Sequence, residues 1–113
     1  MIVVGHTECG GAKHCLEAAQ KPHPSPPNDP LLRWLEPLTQ LARSLNFGLP
    51  PPKDALLTLV KKNVEQQVQH LAETETVKHA WNKGDDVWIH GLIYDLSTGH
   101  LSDLHVTKKR PGK

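Results

Sequence analysis

The stretch "MIVVGHTECGGAKHC" at the start of the 113-residue chain places His6 and Cys9 two residues apart, followed directly by Gly10 and Gly11. An imidazole nitrogen with a thiolate sulfur is a zinc pair by softness and geometry, and the start of a helix favours an anionic sulfur. Taken alone, the pair reads equally well as a packed thiol beside an unrelated imidazole. Two donors do not fill a zinc site: a structural zinc takes four, a catalytic one three plus water. No C-x-x-C or H-x-x-x-H elsewhere supplies the rest. His6-Thr7-Glu8 also fits the H-x-E of zinc deaminases, but the P-C-x-x-C that those enzymes need is absent. A cysteine nucleophile at a helix start is a further reading. It is weakened because no arginine follows Cys9 in its loop to clamp a phosphate.

The remaining candidates are poorer. Cys15 lies six residues along one short helix from Cys9, on another face, so it neither replaces a missing thiolate nor forms a disulfide with Cys9. With those two cysteines alone, a reducing compartment is expected. His14, His23, His70, His79, His90, His100 and His105 are read as solvated or packed imidazoles. Gly10 and Gly11 suit close backbone approach at a metal loop, or ordinary turn punctuation.

Positioning His6 and Cys9 requires a strand that ends at the pair and a helix that begins there. Ile2-Val3-Val4 is apolar and β-branched on consecutive positions, which predicts a strand covered on both faces. "GAKHCLEAAQ" reads as a helix stopping before Pro22, and "KPHPSPPNDP" as a proline-rich loop. Asp29 and Pro30 form a helix start, with Leu31, Trp34, Leu35, Leu38, Leu41 and Leu45 as a core-facing stripe. Pro37 should kink that helix or mark its true start. Leu57, Val60, Val64, Val68 and Leu71 line one face of a further helix. Val87 to Tyr94 then reads as a strand, Asp95 to Gly99 as a turn, and Leu101 to Val106 as a polar edge strand. The order predicts an α/β fold: a mostly parallel sheet flanked by helices, with a C-terminal antiparallel hairpin strand.

A single domain over 1–107 with a solvated basic tail at 108–113 is expected from the length and the ending "TKKRPGK". The formal charge of +1 offers no footprint for nucleic acid. No run reaches membrane-spanning length and nothing resembles a signal peptide, so no membrane partner and a cytoplasmic location are expected.

"VVGHTECGG", "RWLEPL", "VKKNVEQQVQHL" and "VWIHGLIYDLSTG" together resemble the β-class carbonic anhydrases, in order and approximate spacing, over nearly the whole chain. The G-H-[TS]-x-C-G and G-x-x-Y-D-x-x-T-G segments are each fairly specific, and their co-occurrence around an N-V-x-x-Q-V helix is much more so. The resemblance implies Zn2+ held by two cysteines and one histidine, with His6 and Cys9 matching the second and third of these. The first belongs to a C-x-[DS]-x-R strand, upstream in the family, which these 113 residues lack. The resemblance thus likens the chain to the C-terminal portion of such an enzyme. Tyr94 and Asp95 match the family's later segment and read as strand-end structure. The implied activity is reversible hydration of carbon dioxide to bicarbonate, in which zinc lowers the pKa of water from about 15.7 to about 7. The resemblance further implies a homo-oligomer, a dimer or higher. The alternative is a catalytically inactive truncated product or partner subunit that keeps the helices and dimer surfaces. A longer form carrying a transit peptide would be mitochondrial.

Overall fold

A computed structural model describes residues 1–20, 30–48 and 51–112, the side chain of Leu32 apart. The proline-rich loop, the Asp29 cap and His23 lie outside the described residues. The element order is β1 (Ile2–His6), α1 (Gly10–Ala19), α2 (Pro30–Trp34), α3 (Glu36–Ser44), α4 (Ala55–Ala72), α5 (Glu75–Asn82), β2 (His90–Tyr94) and β3 (Leu101–Asp103). The strands form one sheet in the order β1-β2-β3. β1 and β2 are parallel, with Ile2 opposite His90 and His6 opposite Tyr94; β2 and β3 are antiparallel, with Tyr94 opposite Leu101. The chain divides into two compact units, one of residues 1–7 and 61–113, the other of residues 8–60.

In the first unit, paired strand residues share a face. Gly91 and Ile93 are buried, and Gly91 lies against Val64 and Val68 of α4 and against Val106. A Cβ at Gly91 would come within 2.7 Å of Val106 Cγ2 and 3.0 Å of Val64 Cγ1, so this glycine is required by close packing. The opposite face carries Ile2, Val4, Tyr94 and Leu101, all exposed, with Ile2 at 63% and Val4 at 51%. This corrects the expectation that β1 is covered on both faces: its burial alternates along the strand. Among the described residues, no strand pairs with the other edge of β1. The Met1 carbonyl accepts from His90 N–H and Thr7 N–H donates to the Tyr94 carbonyl, so odd-numbered residues face β2. Ile2, Val4 and His6 therefore aim their backbone groups the other way.

Two further features of this unit differ from expectation. α5 is an additional helix, started by Thr74, whose hydroxyl accepts from Val77 N–H at 3.3 Å. The C-terminal segment is paired rather than frayed: Ile89 and Lys108 exchange backbone hydrogen bonds of 2.8 and 2.9 Å, and Arg110 donates to the Gly84 carbonyl. Lys109 lies over the Trp88 ring, 5.3 Å from its centroid.

In the second unit α1 packs on α3, burying Ala12, Cys15 and Leu16 from one side and Thr39 and Ala42 from the other. Pro37 does mark a true helix start, in the first turn of α3, where its missing N–H costs nothing. The break at Leu35 separates α2 from α3, and it leaves Leu31 and Trp34 exposed, at 57% and 76%, instead of facing a core. The first residues of α4, Ala55 to Val60, belong here too, and Leu59, absent from the expected stripe, is fully buried.

Candidate metal centre

His6 is the last residue of β1, and its exposed side chain stands at the carboxyl end of the parallel pair. The strand ends there because Thr7 is tied to the end of β2. Its N–H donates to the Tyr94 carbonyl at 3.0 Å, and its hydroxyl oxygen accepts from Leu96 N–H at 3.0 Å. Thr7, in the first of the two stretches that the sequence singles out, is therefore joined by direct hydrogen bonds to Tyr94 and Leu96 in the second, within one unit. His6 Nδ1 lies 2.9 Å from the Thr7 carbonyl oxygen. A carbonyl only accepts, so Nδ1 carries the proton and Nε2 carries the lone pair of the neutral ring.

Asp95 stabilises the turn that holds Thr7. Its Oδ1 accepts from the Ser97 hydroxyl at 2.7 Å and from the Ser97 N–H at 2.9 Å, and its carbonyl accepts from Gly99 N–H. The Ser97 hydroxyl, then the Ser97 amide, hold the Asp95 carboxyl below its ordinary range. Gly99 takes φ +74, a left-handed turn position that suits glycine. Tyr94 and Asp95 are thus structural supports of the loop bearing His6, as the sequence suggests.

Glu8 links His6 to Cys9 through a left-handed backbone, φ 55, uncommon for a residue with a side chain and worth about 1 kcal/mol of strain. Cys9 is the N-cap of α1, extended at φ −68 and ψ 117, and its side chain makes no capping hydrogen bond. Its half-buried thiol is not consumed in holding the helix. The neighbouring glycines are not demanded by crowding: a Cβ at Gly10 meets nothing within 4 Å, and one at Gly11 would be 4.0 Å from Cys9 Sγ.

Cys15 is wholly buried between α1 and α3, with its thiol 3.7 Å from the Leu35 carbonyl. Burial pushes that thiol up, against a smaller opposing pull from the Thr39 hydroxyl. It is a core residue. Among the described residues no group of three or more His, Cys, Asp or Glu side chains converges as a metal site. The donors present fit zinc in kind, an imidazole with its lone pair on Nε2 and an uncommitted thiol, and fall short in number.

The sequence matches the carbonic anhydrase family, in its β class, over residues 1–101. The chain belongs to that family. A carbonic anhydrase of Saccharomyces cerevisiae is 28% identical over 112 residues, covering 96% of this chain and 50% of its own length. A β-carbonic anhydrase from Coccomyxa, solved in complex with acetazolamide, superposes with a TM-score of 0.73 at 28% identity, covering 91% of this chain and 45% of that one. One of two tetrameric β-carbonic anhydrases from Sordaria macrospora shares the fold, with a TM-score of 0.71 at 24% identity over 95% of this chain and 52% of its own. The chain spans about half the length of these relatives. No described helix is long and apolar enough to cross a membrane.

Proposed function

We propose that this chain supplies two of the three zinc donors, His6 and Cys9, of a β-class carbonic anhydrase that interconverts carbon dioxide and bicarbonate. The observation that carries this reading is the tie between the two family segments. Thr7 is hydrogen-bonded to Tyr94 and Leu96, next to His6 at the strand end, and its carbonyl lies 2.9 Å from His6 Nδ1. Open α/β sheets put ligands at the carboxyl ends of their strands, which is where His6 stands. When bound, zinc supplies the Lewis acidity that makes water nucleophilic near neutral pH. His6, through an imidazole nitrogen, and Cys9, through its sulfur, would hold the metal, while Thr7 and Asp95 hydrogen-bond the turn beside His6. No step of the hydration follows from two side chains alone, and the third donor is the thiolate that the family carries on its C-x-[DS]-x-R strand.

Zinc affinity by competition with a chromophoric chelator tests the assignment. The 113-residue chain should bind zinc more weakly than a three-ligand site, and His6→Ala combined with Cys9→Ser should abolish binding. Zinc retention unchanged in that double variant would refute it. A second reading starts from the finding that no group of three or more donors converges among the described residues: a catalytically inactive truncated product or partner subunit that keeps the helices and dimer surfaces. It predicts no hydration activity even when the third donor is supplied.

A further inference from the structure

We propose that Thr7 is a positioning residue that sets His6 as a metal-ready ligand by tethering the imidazole's tautomer and orientation to the turn at Tyr94–Leu96. The proposal deepens the zinc reading and rests on His6 being a donor. Three contacts act in series. The Leu96 N–H donates to the Thr7 hydroxyl at 3.0 Å, across 89 positions of sequence, and the Thr7 N–H donates to the Tyr94 carbonyl at 3.0 Å. These hold Thr7 at its amide and at its side chain. The Thr7 carbonyl then accepts from His6 Nδ1 at 2.9 Å, and Nε2 has no partner among the described residues.

Each contact has a directional consequence. Because a carbonyl cannot donate, the contact at Nδ1 selects the Nδ1–H tautomer, opposite to the Nε2–H form that free histidine prefers. The lone pair then sits on the nitrogen that points away from the backbone. A single exposed contact to the next residue's carbonyl would be weak, since water competes for both partners. The side-chain bond to Leu96 makes the difference: a Thr7 fixed on two sides cannot turn its carbonyl away. A metal-binding histidine ordinarily donates its second ring N–H to such an acceptor, and loss of that support costs about 10- to 100-fold in metal affinity.

The experiment is long-range 1H–15N correlation of the imidazoles in the metal-free, full 113-residue chain. It is run at about pH 8.5, well above the ordinary histidine pKa of about 6.5. His6 is assigned among the eight histidines by comparison with His6→Gln. Wild type and Thr7→Ser, which keeps the hydroxyl, should show His6 mainly as Nδ1–H. Thr7→Val, which keeps the shape and loses the acceptor, should move it toward the Nε2–H form of free histidine and weaken zinc binding about tenfold. A wild-type His6 in the Nε2–H form, or a tautomer unchanged in Thr7→Val, would overturn the proposal. Should Thr7→Val fail to fold, amide exchange in the wild type decides: Leu96 N–H should be protected, and free exchange there would show that the tether does not exist. If the tautomer behaves as expected while His6→Ala leaves zinc affinity untouched, the tether is supported and the metal reading alone fails.

Discussion

At the scale of single residues, burial separates the two cysteines. Cys15 is wholly buried with its thiol pushed up by that burial, and Cys9 sits half-buried at the N-cap position of α1, where its side chain makes no capping hydrogen bond. Iodoacetamide should therefore alkylate the native chain at Cys9 and spare Cys15, as read by peptide mass mapping, and zinc should slow the reaction. Modification of Cys15 at a comparable rate would contradict the burial. Asp95 gives a second test. Its carboxyl is held down by the Ser97 hydroxyl and amide, so folding favours the charged form. A depressed folded-state value means that its contribution is complete above the ordinary value of 3.8 and is lost as pH falls through the lower, folded one. Thermal melts across the acid range should show Asp95→Asn less stable than wild type near neutrality, with a shallower loss below about pH 4. An NMR titration placing Asp95 at or above its ordinary value would refute this. Donor chemistry is written in residue type, which is why the sequence singles out His6 and Cys9 as candidates. The hydrogen bond at Thr7 was not legible, because its partner lies 89 positions away and only the parallel register brings it near.

At the scale of elements, the apolar periods placed β1, α1, α4 and β2 close to where they lie, and Pro37 correctly marked a helix start. The misses share a cause. Periodicity reports which positions are apolar without reporting what covers them. Ile2 and Val4 therefore read as core while standing exposed on a bare sheet face, and Leu31 and Trp34 read as a packed stripe until the break at Leu35 turned α2 away. α5 escaped because its eight residues bury Val77 alone and show little apolar pattern. The pairing of Lys108 with Ile89 escaped because a basic run looks solvated until a strand end is available to pair with. Gly91 is the position where strand and helix are most closely fitted. Gly91→Ala would drive a methyl against Val106, Val64 and Val68, β-branched side chains with little freedom to move aside. It should cost about 1–3 kcal/mol in denaturant melts. A neutral outcome would mean that β2 does not lie against α4 as described.

At the scale of the whole molecule, the chain has the β-carbonic anhydrase fold over about half of its relatives' length. Family membership was readable because its motifs are dense in the residues present. The C-x-[DS]-x-R segment that the family resemblance implies does not occur within these 113 residues. In the proposed assignment His6 and Cys9 would give a metal two fixed ligands, too few to aim a nucleophile. If a third thiolate from the C-x-[DS]-x-R strand is what the site requires, supplying it should convert a weak zinc binder into an enzyme. The most direct test is stopped-flow carbon dioxide hydration at matched zinc occupancy. It compares the 113-residue chain with the same chain joined to an upstream segment bearing that strand. The account predicts rates near background for the 113 residues and a large, zinc-dependent rate for the joined protein, lost again in His6→Ala. Equal rates for the two would contradict it, by showing that residues 1 to 113 complete the site on their own.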